Sequence, residues 1–354
     1  MRFYNNHYQF YAGIDLHVRQ MYVCVIDREG QTRFHKNMPT DPEHLEKALD
    51  TFGPDLVAAV EGVFSWYWIA DFCQDHDIDF VLGHALYMKA IHRGKTKNDR
   101  IDSHKIATLL RGGMLPMAYV YQRKMRATRD LLRRRGYFMH HQSELLAHIQ
   151  NTNTQYNLAP FPKRLTYTSN RIGIEQRFED PQVRKNIETD LHLPAIYHRV
   201  LLDLEAQVKR QATHHDPVAH VLLRTIPGIG PILSLVILYE IHDINRFATV
   251  GNFISYARLV KCPHESAGKL MKGGHNKIGN AHLKWAFSEA AVLFLRNNEP
   301  AKRLQQRLVS KYGKAKALSL IAQKLGRTAY YMLKRKEPFI ATRFFKDGVR
   351  EPAA

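Results

Sequence analysis

The hydrophobic pattern of the first 120 residues predicts strands that alternate with helices. Two β-rich runs, "FYAGIDLH" and "MYVCVIDREG", follow each other after a short break and predict adjacent antiparallel strands. The continuous apolar run "DLVAAVEG" is typical of a strand covered on both faces, and "IDFVLGHA" predicts another strand. Between and after these runs, helical spacing predicts three helices, the first capped by Asp41. The order favours a mixed sheet with helices packed on it.

The pattern changes near Arg123 to long, basic, amphipathic stretches. The first has apolar residues at seven-residue steps from Leu131, and a second opens at Pro194 with apolar residues spaced by four. An irregular segment, residues 160–186, separates them. This arrangement predicts an antiparallel, coiled-coil-like helical pair. The pair is either a plain helical linker or a surface for dimerisation.

A third, mostly helical region begins near residue 216. Its segment "RTIPGIGPILSLVILYEIHDINRF" resembles a helix-hairpin-helix, in which the backbone N–H groups beside Gly228 and Gly230 can approach a DNA phosphate. Glycine-rich turns also join ordinary helices, so both interpretations stay open. The whole chain is predicted to divide into residues 1–122 (acidic α/β domain), 123–215 (helical pair), 216–345 (C-terminal helical domain) and 346–354 (tail).

The net charge of the chain indicates what kind of partner it binds. The 354 residues contain 52 Lys and Arg against 33 Asp and Glu, a formal net charge of +19. So large an excess favours nucleic acid, because each phosphate contact releases condensed counterions. No apolar run reaches the ~20 residues that span a membrane. The opening residues lack a signal-peptide core and the three cysteines form no metal-binding pair. A cytoplasmic, prokaryotic, nucleoid-associated protein is expected.

Four carboxylates are candidates for a metal site. Asp15 ends the first strand, Glu61 ends the buried run "LVAAVE", and Asp99 and Asp102 lie three apart at the start of a helix. Asp99 as a helix cap and Asp102 as a partner of the helix dipole are the simpler alternatives. Glu61 resists such an explanation, since a carboxylate closing an apolar strand needs a partner or a metal. Converging acids of this kind indicate an RNase H-like site for Mg²⁺ or Mn²⁺.

A basic, glycine-punctuated loop, "PHESAGKLMKGGHNKIGN" (residues 263–280), carries Ser266 together with Lys269, Lys272 and Lys277. Small neighbours permit close approach to a phosphate, and the lysines can stabilise its charge. Two interpretations compete on the residues alone. The loop can simply contact phosphate, its serine bonding to local backbone, or Ser266 can be an activated nucleophile.

The ordered set "GIDLH", "VEG", "KTKNDRIDSHKIA", "IPGIGPILSLVILYEIHDINRF", "YARLV" and "ESAGK" resembles the Piv-like DEDD transposases, the insertion-sequence family one-ten. The resemblance covers almost the whole chain. It implies an N-terminal RuvC-like domain and a C-terminal transposase domain. By position, the four acids of that family fall on Asp15, Glu61, Asp99 and Asp102, and its nucleophilic serine falls on Ser266.

The resemblance also implies a mechanism and partners. Ser266 of one subunit would act with the metal site of another, attack a DNA phosphodiester and form a phosphoserine link that a new strand end later displaces. Double-stranded DNA, a structured guide RNA encoded by the element and a homo-oligomer (dimer or tetramer) are the expected partners. The basic stretch that contains Arg126 and Arg133 is a candidate nucleic-acid surface, or a solvated helix face.

Two other functions remain open on the sequence. A metal-only RuvC-like junction endonuclease needs the four acids and no serine, but it gives no reason for some 230 further residues. A non-catalytic DNA-binding protein would use the hairpin and the basic helices, but it leaves Asp15 and Glu61 without a purpose.

Overall fold

The computed structural model describes residues 2–91, 98–212, 216–260, 264–266, 269–271 and 278–346. The chain forms two compact units, Met1–Lys124 and Met125–Ala354. The four-part division drawn from the sequence stays a prediction, because the structure divides into only two compact units and does not test the finer boundaries. Among the described residues, no helix is both long enough and apolar enough to cross a membrane.

The first unit is built on a five-stranded mixed sheet. Its strands are β1 (Phe10–Leu16), β2 (Gln20–Asp27), β3 (Thr32–Pro39), β4 (Leu56–Glu61) and β5 (Asp79–Gly83). They lie in the order β3-β2-β1-β4-β5. The pairs β1–β2 and β2–β3 are antiparallel, whereas β1–β4 and β4–β5 are parallel. The predicted mixed sheet is confirmed. Strand β3 was not predicted, because this edge strand, "TRFHKNMP", is mostly polar.

Helices cover both faces of this sheet. They are α1 (Pro42–Leu49), α2 (Tyr67–Asp75), α3 (Ala85–Ile91) and α4 (Asp99–Arg111). Helices α1 and α2 pack on one face, which receives Ala12 and Ile14 of β1. Helices α3 and α4 pack on the other, which receives Tyr11 of β1 with Val57 and Ala59 of β4. Alternate strand residues therefore enter different cores, which explains why β4 is apolar throughout.

The second unit opens with two long antiparallel helices, α5 (Arg123–Gln155) and α6 (Pro181–Ala212). Their contacts run in opposite chain directions: Arg135 bonds Glu205, Gln142 bonds the carbonyl of Pro194, and His148 bonds Asp190. The predicted start of the second helix at Pro194 is wrong, since α6 begins 13 residues earlier and contains this proline. Packing against α5 keeps the helix continuous although proline lacks an N–H donor. The coiled-coil description stays a prediction.

The remaining helices surround one large apolar core. They are α7 (Pro217–Arg224), α8 (Pro231–Ile241), α9 (Val250–Tyr256), α10 (Ala281–Phe294), α11 (Glu299–Tyr312), α12 (Lys314–Arg335) and α13 (Ala341–Lys346). Between α9 and α10 lie two short antiparallel strands, β6 (His264–Ser266) and β7 (Lys269–Met271). The mostly helical character predicted for this part of the chain is confirmed.

Candidate active site

Two of the four predicted acids lie side by side at one edge of the sheet. Strands β1 and β4 are parallel neighbours, and Ile14 of β1 pairs with Val60 of β4. Asp15 and Glu61 are the next residues on each strand, so they stand at adjacent carboxyl ends. Because side chains alternate along a strand, both carboxylates belong to the face on which Tyr11, Val57 and Ala59 meet α4. We call this place the acid edge.

Helix α4 brings the other two acids to the acid edge. Asn98 caps the helix by accepting a hydrogen bond from the amide of Arg100, so Asp99 and Asp102 both lie in its first turn. The interpretation of Asp99 as the helix cap was therefore wrong by one residue. Gly13 of β1 permits the approach of the helix. A Cβ atom there would lie 2.3 Å from both Ala107 N and Ser103 O.

His35 of β3 holds the same first turn from the sheet side. Its Nε2 atom lies 3.0 Å from the carbonyl oxygen of Arg100 and 3.2 Å from Ser103 Oγ. Burial lowers the pKa of this imidazole, and the nearby charges of Arg100 and His104 act in the same direction, against the carbonyl contact. The position of α4 relative to the sheet thus depends on Gly13 and on the contacts of His35.

One compact set of possible ligands forms at the acid edge among the described residues: Asp15, His17 and Asp99, whose ligand atoms all lie within 4.8 Å of one another. His17 Nε2 is 3.4 Å from Asp15 Oδ2 and 3.6 Å from Asp99 Oδ1. His17 was missed in the sequence. Its spacing of two residues from Asp15 was a usable signal, since strand residues i and i+2 share a face.

Glu61 and Asp102 lie outside this compact set. Asp102 accepts a hydrogen bond from Lys105 Nζ at 3.1 Å, one turn further along α4. Its charge nevertheless reaches Asp15. Burial raises the pKa of the Asp15 carboxyl, His17 lowers it, and the charges of Asp99 and Asp102 raise it again, with a net upward shift. The structure therefore brings Asp15 and Asp99 together and leaves the other two acids beside them.

The residues of the acid edge fit a divalent cation. Carboxylate oxygens are the ligands that Mg²⁺ prefers, and an added imidazole is also acceptable to Mn²⁺. Burial, with the charges of Asp99 and Asp102, raises the pKa of Asp15. A bound cation would act against this shift and favour the charged carboxylate.

The predicted nucleophile lies in the second unit. The backbone of Ser266 ends strand β6, where it pairs with Lys269 of β7. Lys272 and Lys277 fall outside the described residues. Two other serines, Ser255 and Ser288, lie inside helices α9 and α10.

A buried ion network anchors both flanks of the segment that carries Ser266. Glu240 of α8 accepts hydrogen bonds from Arg129, Arg133 and Asn280, at distances of 2.7–3.1 Å. Asn280 caps α10, and its backbone amide bonds the carbonyl of Tyr256 at the end of α9. Burial alone would raise the pKa of Glu240, but the hydrogen bond from Arg133, the two arginine charges and Asn280 lower it to about 2.

This network was not found from the sequence, although one acid in the otherwise apolar helix "PILSLVILYEI" was a signal that a partner must exist. It also gives Arg133, a candidate nucleic-acid residue, a protein partner. A phosphate contact by Arg133 would have to compete with Glu240. Arg126, another candidate, has only 4% of its surface exposed.

The two glycines of the predicted hairpin differ in their surroundings. Gly228 has a φ of +85°, and a Cβ atom there would lie 2.6 Å from the backbone nitrogen of Phe294, so it serves the packing of the turn on α10. Gly230 caps α8 and has open space around its Cα. Of the two, only Gly230 leaves room for a phosphate.

Comparison with known proteins assigns a family to these features. Residues 12–157, which include the four acids, match a DEDD transposase model of the IS110 group, and residues 220–306, which include Ser266, match the model "Transposase IS116/IS110/IS902 family". The chain is 24% identical over 255 residues to the transposase for insertion sequence element IS1111A of Coxiella burnetii, covering 69% of this chain and 68% of that protein.

A second relative is the protein named "Putative transposase y4qE" of Sinorhizobium fredii. It is 24% identical over 246 residues, which is 68% of this chain and 58% of that protein. The predicted resemblance to the DEDD transposases is confirmed, and with it a DNA-binding enzyme role that the non-catalytic alternative does not explain. The chain belongs to the IS110/IS116/IS902 family of transposases.

Proposed function

We propose that this transposase cuts and rejoins DNA at insertion-sequence ends through a phosphoserine intermediate on Ser266, with a divalent metal site at Asp15, Glu61, Asp99 and Asp102. The observation that carries the proposal is the convergence at the acid edge. A strand and a helix, 84 residues apart in sequence, place Asp15 and Asp99 within reach of one cation.

The first unit is proposed to have an RNase H-like fold. Three antiparallel strands followed by two parallel ones, with α4 lying across β1, support it. In such a sheet, the carboxyl ends of the central parallel strands form a natural crevice for a ligand. The acids of β1 and β4 occupy that place.

The proposed reaction exchanges one phosphodiester for another. The Ser266 hydroxyl oxygen forms a bond to phosphorus and loses its proton, while the bond from phosphorus to the leaving strand breaks and that strand's oxygen takes a proton. Attack by a second strand end reverses these changes, so the number of P–O bonds is conserved and no nucleotide cofactor is needed. A cation held by the four acids would supply positive charge for the attacked phosphate.

An element-encoded RNA is proposed to choose the DNA, and a homo-oligomer is proposed to bring a serine and a metal site of different subunits together. The net charge of +19 supports a partner with many phosphates. Both points extend the family resemblance, and both are separable from the chemistry at Ser266.

The test is a search for a covalent protein–DNA adduct. The full chain is expressed with its native flanking DNA and Mg²⁺, denatured and treated with nuclease, and its peptides are analysed by mass spectrometry. A nucleotide attached to Ser266 is expected, and it should be absent from Ser266→Ala and Asp15→Asn. Ser288→Ala, which removes an exposed hydroxyl from α10 of the same unit, is the matched control and should keep the adduct.

Cleaved DNA without a modified serine would reject the phosphoserine mechanism and favour the metal-only junction endonuclease. An adduct that persists in Asp15→Asn would instead mean that Ser266 reacts without the acid edge.

A further inference from the structure

A largely exposed aromatic ring follows the acid edge closely in the chain. Phe64 comes three residues after Glu61, the last residue of β4, and 84% of its surface is exposed. Val18, two residues after the end of β1, is 72% exposed. A large exposed apolar side chain therefore follows each of the two strands that carry Asp15 and Glu61.

The backbone on both sides of Phe64 is held firmly. The amide of Gly62 donates to the carbonyl of Gly83 at 2.8 Å, and the amide of Val63 donates to the carbonyl of Glu61 at 2.7 Å. A Cβ atom at position 62 would lie 2.9 Å from that Gly83 oxygen, so this residue must be glycine for the turn to sit so close. These two hydrogen bonds fix the course of the backbone just after Glu61.

Beyond Phe64, the chain is fixed by Trp66. This side chain is buried in the core on the α1–α2 face and lies parallel to Phe80, with ring centroids 6.5 Å apart. The chain thus crosses from the face of Glu61 to the face of Trp66, and Phe64 lies at the crossing. Its ring is exposed, and it belongs to a turn whose two ends are both anchored.

Single exposed apolar residues are common and need no explanation by themselves. Phe64 differs from the other exposed apolar residues because it lies three residues after Glu61 of the acid edge. A cation at the acid edge would attract a phosphate but would not hold the bases next to it, so a DNA strand brought there needs a second attraction that acts on its bases. Stacking of a base on an aromatic ring supplies such attraction and tolerates any base, because every base has a π face.

We propose that Phe64 stacks on a nucleobase of the DNA strand whose phosphate lies at the acid edge, and so keeps that strand locally unstacked from its duplex. The inference rests on the proposed function for the placement of the phosphate. It adds a positioning residue that none of the four acids or Ser266 provides, and it assigns to the turn Gly62–Trp66 the task of presenting the ring.

The first test reads binding without catalysis. A duplex with the native flanking sequence carries 5-iodouracil in place of thymine throughout one strand. It is irradiated with the Asp15→Asn protein, which is expected to bind DNA without cutting it; a gel-shift assay checks the binding. Iodouracil crosslinks to aromatic side chains that stack on it, so a peptide crosslinked at Phe64 is expected by mass spectrometry. The same protein carrying Phe64→Leu should lose this crosslink.

The second test reads activity. In the active protein, Phe64→Ala and Phe64→Leu should slow adduct formation by roughly 5- to 150-fold, the range expected for one lost base stack. Phe64→Trp should keep the wild-type rate, because it retains an aromatic face. Ile172→Ala, at an equally exposed position in the second unit (84%), is the matched control and should change nothing.

The outcomes are distinguishable. Unchanged rates in Phe64→Ala and Phe64→Leu, with loss of activity in Asp15→Asn, would overturn the role of Phe64 and leave the proposed function intact. Loss of the adduct in every variant and in the wild type would reject the proposed function, and the crosslink would still decide where the DNA lies. A Phe64 crosslink to RNA alone, or none, would overturn the inference.

Discussion

The two units each contain a cluster of carboxylates and cations, and the two clusters have opposite electrostatics. At the acid edge, Asp15 and Asp99 meet at the imidazole of His17, and burial raises the pKa of Asp15. In the second unit, Glu240 is buried against two guanidinium groups and an amide, and its pKa is lowered to about 2. The pKa of the acid is thus shifted upwards in the first cluster and downwards in the second.

This difference indicates which cluster serves structure and which serves chemistry. A buried carboxylate with complete hydrogen bonding holds elements in place, and its removal leaves buried arginines without a partner. Acids that repel each other, one of them partly buried, lower stability unless something else binds there. Perturbed pKa values in clusters like the acid edge are typical of functional sites. Substitutions at Asp15, Glu240 and Gly13 would break or sharpen this comparison.

The largest effect is expected for Asp15→Asn. Loss of one metal-binding carboxylate should remove several kcal/mol of transition-state stabilisation and slow adduct formation by about a thousandfold. Stability should move the other way. A carboxyl whose folded pKa is raised destabilises the fold as pH rises through that pKa, so the neutral amide should increase the melting temperature at pH 7 without added metal.

Asp27→Asn is the matched control for this substitution. Asp27 also ends an apolar strand, but it accepts hydrogen bonds from the amide of Gln31 and from Arg33, which outweigh its burial and lower its pKa. Its neutralisation should decrease the melting temperature and leave adduct formation unchanged. Equal behaviour of the two variants would contradict the functional assignment of the acid edge.

Glu240→Ala should cause the largest loss of stability. It leaves Arg129 and Arg133 without their buried counter-charge, and breaking such a pair costs about 3–5 kcal/mol in the free energy of unfolding. Urea unfolding at neutral pH measures this loss of free energy. Glu188→Ala, which removes an exposed partner of Lys185, is the control and should change little. A Glu240→Ala protein as stable as the control would disprove the anchoring role.

The same network predicts that the free energy of unfolding decreases in acid. The folded pKa of Glu240, about 2, lies below its ordinary value of 4.5. Its contribution is therefore complete above about pH 5 and is lost as pH falls towards 2. Between pH 5 and pH 3 the wild type should lose more free energy of unfolding than Glu240→Gln, whose side chain does not titrate. Parallel pH profiles of the two proteins would contradict this interpretation.

The smallest effect is expected for Gly13→Ala. The added methyl group meets the backbone of α4 at 2.3 Å, and overpacking of this kind costs about 1–3 kcal/mol. It should also weaken activity, because α4 carries Asp99 and Asp102. Gly136→Ala in α5 is the control, since open space surrounds that position and alanine stabilises a helix interior by up to about 1 kcal/mol. Unfolding and adduct formation should be measured for both.

Part of the site was predictable because its signals are local. The apolar run that ends in Glu61 and the spacing of Asp99 and Asp102 are contained in single elements, and the cap at Asp41 follows from two adjacent residues. His17 and Phe64 were missed for different reasons. His17 had a spacing signal that was not used, but the exposure of Phe64 depends on how Trp66 packs, which no local pattern contains.

The sequence by itself determined most of the strands and helices and the family of the chain, and it named four acids as candidates, because periodicity, capping and ordered motifs are properties of short segments. The tertiary structure alone decided which acids meet, that Gly13 lets α4 approach the sheet, and that Glu240 joins Arg129, Arg133 and Asn280. Those contacts link residues 40 to 111 positions apart. Their energies depend on burial and distance, and both exist only when the chain is folded.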